Sequence, residues 1–274
     1  MNVKGKTALI TGASRGIGRA IALALAQQGI HRLLLVARNP QRLQEVADEI
    51  EAMGVEAIPL VVDLSDRIQT NVVLSQAWRD FGPVHLLVNC AGVAHQAPFL
   101  QSKLLHVQEE IAINLMGMYG VTRLIGRRMA SQQSGTIVNV ASLMGKVAAP
   151  TMATYSATKF AILGFTQAIR GELAAHNIRV MSLLPSLTDT DMVRDLEWFR
   201  WAVPMTSEQV AEALIRGLNR DADEIIVGWQ GRLAVWCNRL MPWVLEKTLQ
   251  FAAPKFEDRS RPEYHFRHAG DTSL

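Results

Sequence analysis

The sequence predicts an α/β protein, a doubly wound parallel sheet in a single domain. Three observations predict it. Short apolar runs alternate with stretches of helical periodicity along nearly the whole chain. The runs are apolar throughout rather than alternating with polar residues, as strands covered on both faces are. A glycine-rich turn, Thr11-Gly-Ala-Ser-Arg-Gly-Ile-Gly18, joins the first run to the first helical stretch.

The elements follow in order. Thr7–Ile10 reads as a buried strand and residues 16–28 as a helix with apolar residues at helical spacing. Arg32–Ala37 is the second strand. A helix over 40–53 follows, with Asn39 as its N-cap and Gly54 as its stop. Residues 57–62 form the third strand, 68–81 a helix ended by Gly82-Pro83, and 84–88 the fourth strand. Helices occupy 102–130, a strand 135–140, a helix 154–176 and the sixth strand 179–184. A helix over 207–219 and a short strand over 224–227 complete the sheet. Residues 1–254 form the domain, and the charged, His- and Pro-containing stretch 255–274 reads as a flexible tail.

Composition narrows the partners. Among 274 residues the net charge is +3 and comes from scattered arginines, with no basic run that would suit nucleic acid. Cys90 and Cys237 suggest reduced thiols and a cytoplasmic protein rather than a disulfide framework. The polar stretch Met1–Lys6 has no signal-peptide pattern, and no apolar run reaches the ~18 residues of a spanning helix. Histidines are scattered without metal-ligand spacing, so no metal is expected.

Gly12, Gly16 and Gly18 let backbone approach a pyrophosphate at a helix N-terminus, where free N–H groups and the dipole favour an anion. Ser14, Arg15 and Ile17 share that turn. An NAD site carries an acid at the end of the second strand; here Ala37 is followed by Arg38. With Arg15, two guanidinium groups and no carboxylate suit the 2′-phosphate of NADP, the bland alternative being that both are merely solvated. Asp63 and Leu64 follow the third strand, where Asp63 is positioned to accept from an adenine amino group. Asn89-Cys-Ala-Gly92 follows the fourth strand, so Asn89, Ala91 and Gly92 are placed beneath the adenosine, with Cys90 a small packing residue.

Tyr155 and Lys159 stand four residues apart on one predicted helix, hence on one face. A cation beside a phenol favours the phenolate, so Lys159 is expected to lower the Tyr155 pKa and make it a general acid/base. Ser142 lies thirteen residues upstream, just past an apolar strand. With the glycine-rich turn, Asn-x-Ala-Gly, Ser142, Tyr155 and Lys159 in this order, the chain resembles the short-chain dehydrogenase/reductase superfamily over roughly residues 5 to 230. Its core is similar to 3-oxoacyl-[acyl-carrier-protein] reductases and related carbonyl reductases.

The resemblance implies hydride transfer at a Rossmann-type sheet and a catalytic set that maps onto Asn114, Ser142, Tyr155 and Lys159. Ser142 and Tyr155 would bind the substrate oxygen, Tyr155 would exchange its proton, and Lys159 would hold the nicotinamide ribose. Asn114 would hold a water linking Lys159 to solvent. Pro185, Thr188 and Thr190 match the family's cofactor-binding run after the sixth strand, except that Ser186 replaces a glycine. If that position needed an unusual backbone angle, Ser186 would be strained. A catalytically silent dinucleotide-binding sensor or scaffold remains the alternative function, which an intact set of four argues against.

Residues 191–206 hold Met192, Val193, Leu196, Trp198, Phe199, Trp201, Val203 and Met205, an apolar lid suited to an apolar or acyl-chain ketone. Over 229–251, Trp229, Trp236 and Trp243 recur every seven residues, accompanied by Arg232, Arg239 and Lys247, and Pro242 should kink the segment. Such a stripe faces a core, a partner subunit of a homodimer or homotetramer, or, through 229–247, a membrane surface.

Overall fold

The computed structural model describes residues 1–194, 196–197, 199–200 and 203–254. Trp198, Trp201 and the 255–274 tail lie outside the described residues.

Seven strands form one parallel sheet: β1 (Thr7–Thr11), β2 (Arg32–Ala37), β3 (Glu56–Val61), β4 (Leu86–Asn89), β5 (Gly135–Val140), β6 (Ile178–Leu184) and β7 (Glu224–Ile226). Their order is β3-β2-β1-β4-β5-β6-β7. The chain thus runs outward from β1 on one side, returns, and runs outward from β4 on the other. Such a reversal leaves a crevice beyond the C-terminal ends of β1 and β4. Helices α1 (Gly16–Gln27), α2 (Pro40–Glu51), α3 (Arg67–Phe81), α4 (Leu104–Glu110), α5 (Met118–Ser131), α6 (Ala153–Ala174) and α7 (Ser207–Asn219) cover the faces.

Alternation along each strand splits the core in two. Ile10 and Leu35 face one side with Ile21, Leu25, Leu43 and Leu214 of α1, α2 and α7. Leu9 and Leu34 face the other with Leu74 of α3 and Ile125 of α5. Helix starts are written in local chemistry: the Asn39 side chain accepts from the Arg42 N–H at 2.9 Å, and Asp66 accepts from Ile68 and Gln69 at the start of α3. Thr206 and Gln209 form a reciprocal capping box on α7.

The predicted helical stretch 102–130 is not one regular helix. Between α4 and α5, residues Ile111–Gly117 form a π-helical turn, with Asn114 buried at its centre. Such single turns carry one extra residue per cycle. The predicted kink at Pro242 is a full break: α8 (Trp229–Leu240) ends, Met241 turns away from helical geometry, and α9 (Pro242–Ala252) starts with proline in its first turn. Trp229, Trp236 and Trp243 are 73%, 65% and 63% exposed, which removes the core reading of that stripe in the single chain. Ser186 is not among the described residues with positive φ, so it replaces the family's glycine without strain.

Candidate functional site

A cavity of about 650 Å³ opens at the crevice, and the predicted site residues line it with two exceptions, Asn89 and Asn114. On one side the turn after β1 brings Gly12, Ser14, Arg15, Gly16, Ile17 and Gly18 to its wall. Gly12 and Gly16 have φ of +70° and +53°, a region costly for side-chain-bearing residues. A Cβ on Gly12 would stand 2.8 Å from the Ala91 backbone, and one on Gly18 would fall onto the Gly12 carbonyl. Arg15 gives α1 no side-chain cap, so the first N–H groups of the helix have no side-chain acceptor. These are the properties a pyrophosphate cradle requires, and a dinucleotide fits them.

Arg15, Arg38 and Arg42 all line the cavity, and β2 supplies no carboxylate; Arg15 and Arg42 meet at Asp191, whereas Arg38 stands 3.6 Å from Glu109. Asp63 is tied locally instead: it accepts from the Ser65 N–H and hydroxyl at 2.9 and 2.7 Å, and Arg38 stands 3.8 Å away. Burial pushes the Asp63 carboxyl up, but the Ser65 hydrogen bonds and the Arg38 charge outweigh it and hold the group below the usual aspartate value.

Ser142 ends the loop after β5, while Tyr155 and Lys159 project from one face of α6. The Lys159 ammonium stands 5.4 Å from the Tyr155 ring centre and donates to the Val140 carbonyl at 3.1 Å. Ser142 stands beside the Tyr155 phenol, and its hydroxyl oxygen accepts from the Met144 N–H at 3.1 Å. The expected acidification of Tyr155 by Lys159 is not met in the protein alone. Desolvation pushes the phenol up to about 12, against the lowering influence of the neighbouring Ser142 hydroxyl. Burial also brings Lys159 down to about 8, opposed by Cys90 and Glu110. The Cys90 thiol is pushed up to about 12 by burial, which suits a packing residue and not a nucleophile.

Two of the predicted residues stand off the cavity wall. Asn89 does not line the cavity: its amide donates at 2.8 Å to both Thr122 and Asn139, and Asn139 donates on to Thr166 at 2.9 Å. This buried chain ties β4 and β5 to the helices behind them. Asn114 also stands behind the wall. Its Oδ1 accepts from the Val93 N–H at 2.8 Å and its Nδ2 donates to the Val93 carbonyl at 2.9 Å, clamping the loop that follows Gly92.

Other residues at or behind the cavity wall carried no evident signal. Glu110, four residues before Asn114, is buried and accepts from the His95 N–H at 2.7 Å, holding the same loop. Burial raises its pKa. Gln96 bridges to the lid through both backbone groups of Glu197, at 2.8 and 3.0 Å. Met192, Val193, Leu196, Phe199 and Val203 of the predicted lid line the cavity, whereas Met205 packs against the core. Leu245 and Leu249 of α9 close its far side.

A model of the family described as short chain dehydrogenase matches residues 6–200. The 2,3-dihydro-2,3-dihydroxybenzoate dehydrogenase of Bacillus subtilis is 36% identical over 217 residues, covering 78% of this chain and 79% of that protein. A 3-oxoacyl-[acyl-carrier-protein] reductase from Synechocystis sp. is 35% identical over 191 residues, covering 70% and 77%. The solved structure of a short chain dehydrogenase from Burkholderia cenocepacia J2315 in complex with NADP matches with a TM-score of 0.80 at 28% identity, covering 93% of this chain and all of that one. A parallel sheet in this strand order, a cradle built on Gly12, Gly16 and Gly18, and the family match over most of its length make this chain a member of the short-chain dehydrogenase family, an oxidoreductase working between alcohol and carbonyl groups with a nicotinamide dinucleotide.

Proposed function

We propose that the protein reduces a ketone to a secondary alcohol with NADPH, reversibly, on an apolar or acyl-chain substrate. The observation that carries this reading is the meeting, in one cavity, of Ser142, Tyr155 and Lys159 with three arginines and no acid at the end of β2. The nicotinamide supplies the hydride when bound. Ser142 and the Tyr155 phenol hydrogen-bond the carbonyl oxygen, and Tyr155 gives it the proton as charge develops there. Lys159 stabilises the phenolate left behind. Asn114 and Glu110 hold the loop from Gly92 to Ala97 against the site and so act as positioning residues. The apolar wall from Met192, Leu196, Phe199, Leu245 and Leu249 favours an acyl chain or ring, and a related protein is a 3-oxoacyl-[acyl-carrier-protein] reductase.

The test is NADPH consumption against a panel of long-chain, cyclic and aryl ketones and 3-oxoacyl thioesters. Failure of every apolar ketone, with turnover of small polar ones, would refute the substrate class. Cofactor choice has its own test: Arg38→Asp sets a carboxylate where the 2′-phosphate is expected. NADPH affinity should fall by roughly a hundredfold and NADH affinity by no more than about threefold. Equal losses would remove Arg38 as a phosphate contact.

No helix among the described residues is long and apolar enough to cross a membrane. Leu104, Leu105, Ile111 and Tyr119 are exposed on and beside α4, as are the three tryptophans on α8 and α9. Apolar surface on this scale fits a homo-oligomer. Arg232, Arg239 and Lys247 make an anionic membrane surface the competing partner for the tryptophan stripe. Trp236→Ser with Trp243→Ser should lower the sedimenting mass without affecting NADPH binding. Loss of binding to anionic vesicles at unchanged mass would favour the membrane instead.

A further inference from the structure

The arginines at the 2′-phosphate end of the cavity do not wait free. Arg42 donates to Asp191 Oδ2 at 2.9 Å, and Arg15 stands 3.6 Å from the same oxygen. Arg194 holds the other oxygen at 3.0 Å. Asp191 comes from the opposite side of the site, 149 residues along the chain from Arg42. It is the best covered of the group, with 23% of its side chain exposed against about half for Arg15 and Arg42. The segment carrying it lies over the glycine-rich turn: the Thr190 methyl is 3.1 Å from where a Cβ on Gly16 would be. Arg42 is itself set in position, because its N–H is the group that Asn39 caps in the first turn of α2.

We propose that Asp191 is an internal counter-anion occupying the arginine fork that receives the 2′-phosphate, and that Arg42 is a third specificity-determining residue of that fork. This rests on the NADP reading above. A carboxylate and a phosphate compete for the same two guanidinium groups and repel each other. Binding of the phosphate therefore displaces Asp191 from Arg15 and Arg42. Asp191 is also the first residue of the lid, whose middle is pinned separately by Gln96 on Glu197. A cofactor bearing the phosphate thus unties the start of the lid, and one lacking it has no differential contact with which to do so.

The experiment measures equilibrium binding of 2′,5′-ADP and 5′-AMP to the intact protein, with no turnover involved. For Asp191→Asn, 2′,5′-ADP should bind roughly three- to tenfold tighter while 5′-AMP is unchanged. For Arg42→Ala, 2′,5′-ADP should bind roughly tenfold weaker, again with 5′-AMP unchanged. Thermal unfolding establishes that each variant is folded, and Asp191→Ala serves if the asparagine variant is not. If the wild type fails to prefer 2′,5′-ADP to 5′-AMP, the NADP reading falls and this proposal with it. If the wild type prefers 2′,5′-ADP and removal of the Asp191 charge leaves that affinity unchanged, the counter-anion alone is refuted.

Discussion

Tyr155→Phe should lower turnover by at least about a thousandfold while changing NADPH affinity by less than about twofold, because it removes one proton donor and no bulk. The half-buried phenol has its pKa pushed up to about 12 by desolvation, so at neutral pH it carries the proton that reduction of a carbonyl consumes. Reduction should then vary little across neutral pH. Oxidation of the alcohol needs the phenolate and should climb as pH rises. Single-turnover rates with NADPH on a ketone from the panel, and with NADP on its alcohol, measure both. Wild-type single-turnover rates in the variant would show that another group supplies the proton.

Lys159→Met separates activity from stability. It should cut turnover by at least about a hundredfold, since the phenolate loses its buried cation. Stability should move the other way. The folded protein holds Lys159 at about 8, below the ordinary lysine value of 10.5, so folding disfavours the charged form. That depression corresponds to about 3 kcal/mol. Its sign is set by protons: the unfolded chain binds the proton more tightly, so the penalty is fully present below pH 8, fades as pH rises, and is gone above the unfolded value. Denaturant unfolding should therefore find Lys159→Met more stable than wild type at pH 7, with the gap closing towards pH 10. A variant less stable at pH 7 would mean that the Val140 hydrogen bond and local packing outweigh the desolvation of the ammonium.

The strands were legible because burial on both faces demands unbroken apolar runs. Arg32–Ala37 and Gly135–Val140 match their predicted bounds residue for residue, and the other strands differ by one or two positions at one or both ends. The cap at Asn39 acts through a neighbour three residues away, so its chemistry is local. The glycine-rich turn was legible for the same reason. That the Asn89 side chain turns away from the cavity was not legible, because a motif position does not reveal which way a side chain points. In the parallel register Asn89 stands beside Asn139, and the two amides bond each other inside the protein. The Arg42–Asp191 contact joins segments far apart in sequence and has no periodic signature. The sevenfold tryptophan spacing spans two helices, α8 and α9, and spacing does not encode what covers their exposed faces. Sequence proximity reports the charge beside Tyr155 but not the desolvation that opposes it in the protein alone.

The π-helical turn over Ile111–Gly117 also constrains how this chain can change length. Downstream, α5 is anchored by Val121, Ile125 and Met129, all fully buried. Deleting Met116 would let the backbone relax into ordinary helical winding, which is locally the easier geometry. The upstream stretch would then rotate by roughly 100° about the axis, the angle one residue subtends. Asn114 and Glu110 would swing off Val93 and His95 together, and the loop they hold would lose both of its anchors in a single step. The surplus residue therefore acts as a spacer in the reading frame of the helix: shortening the chain there would give smoother winding and a misaligned wall, whereas a deletion in the outer turns of α4 would leave the alignment intact.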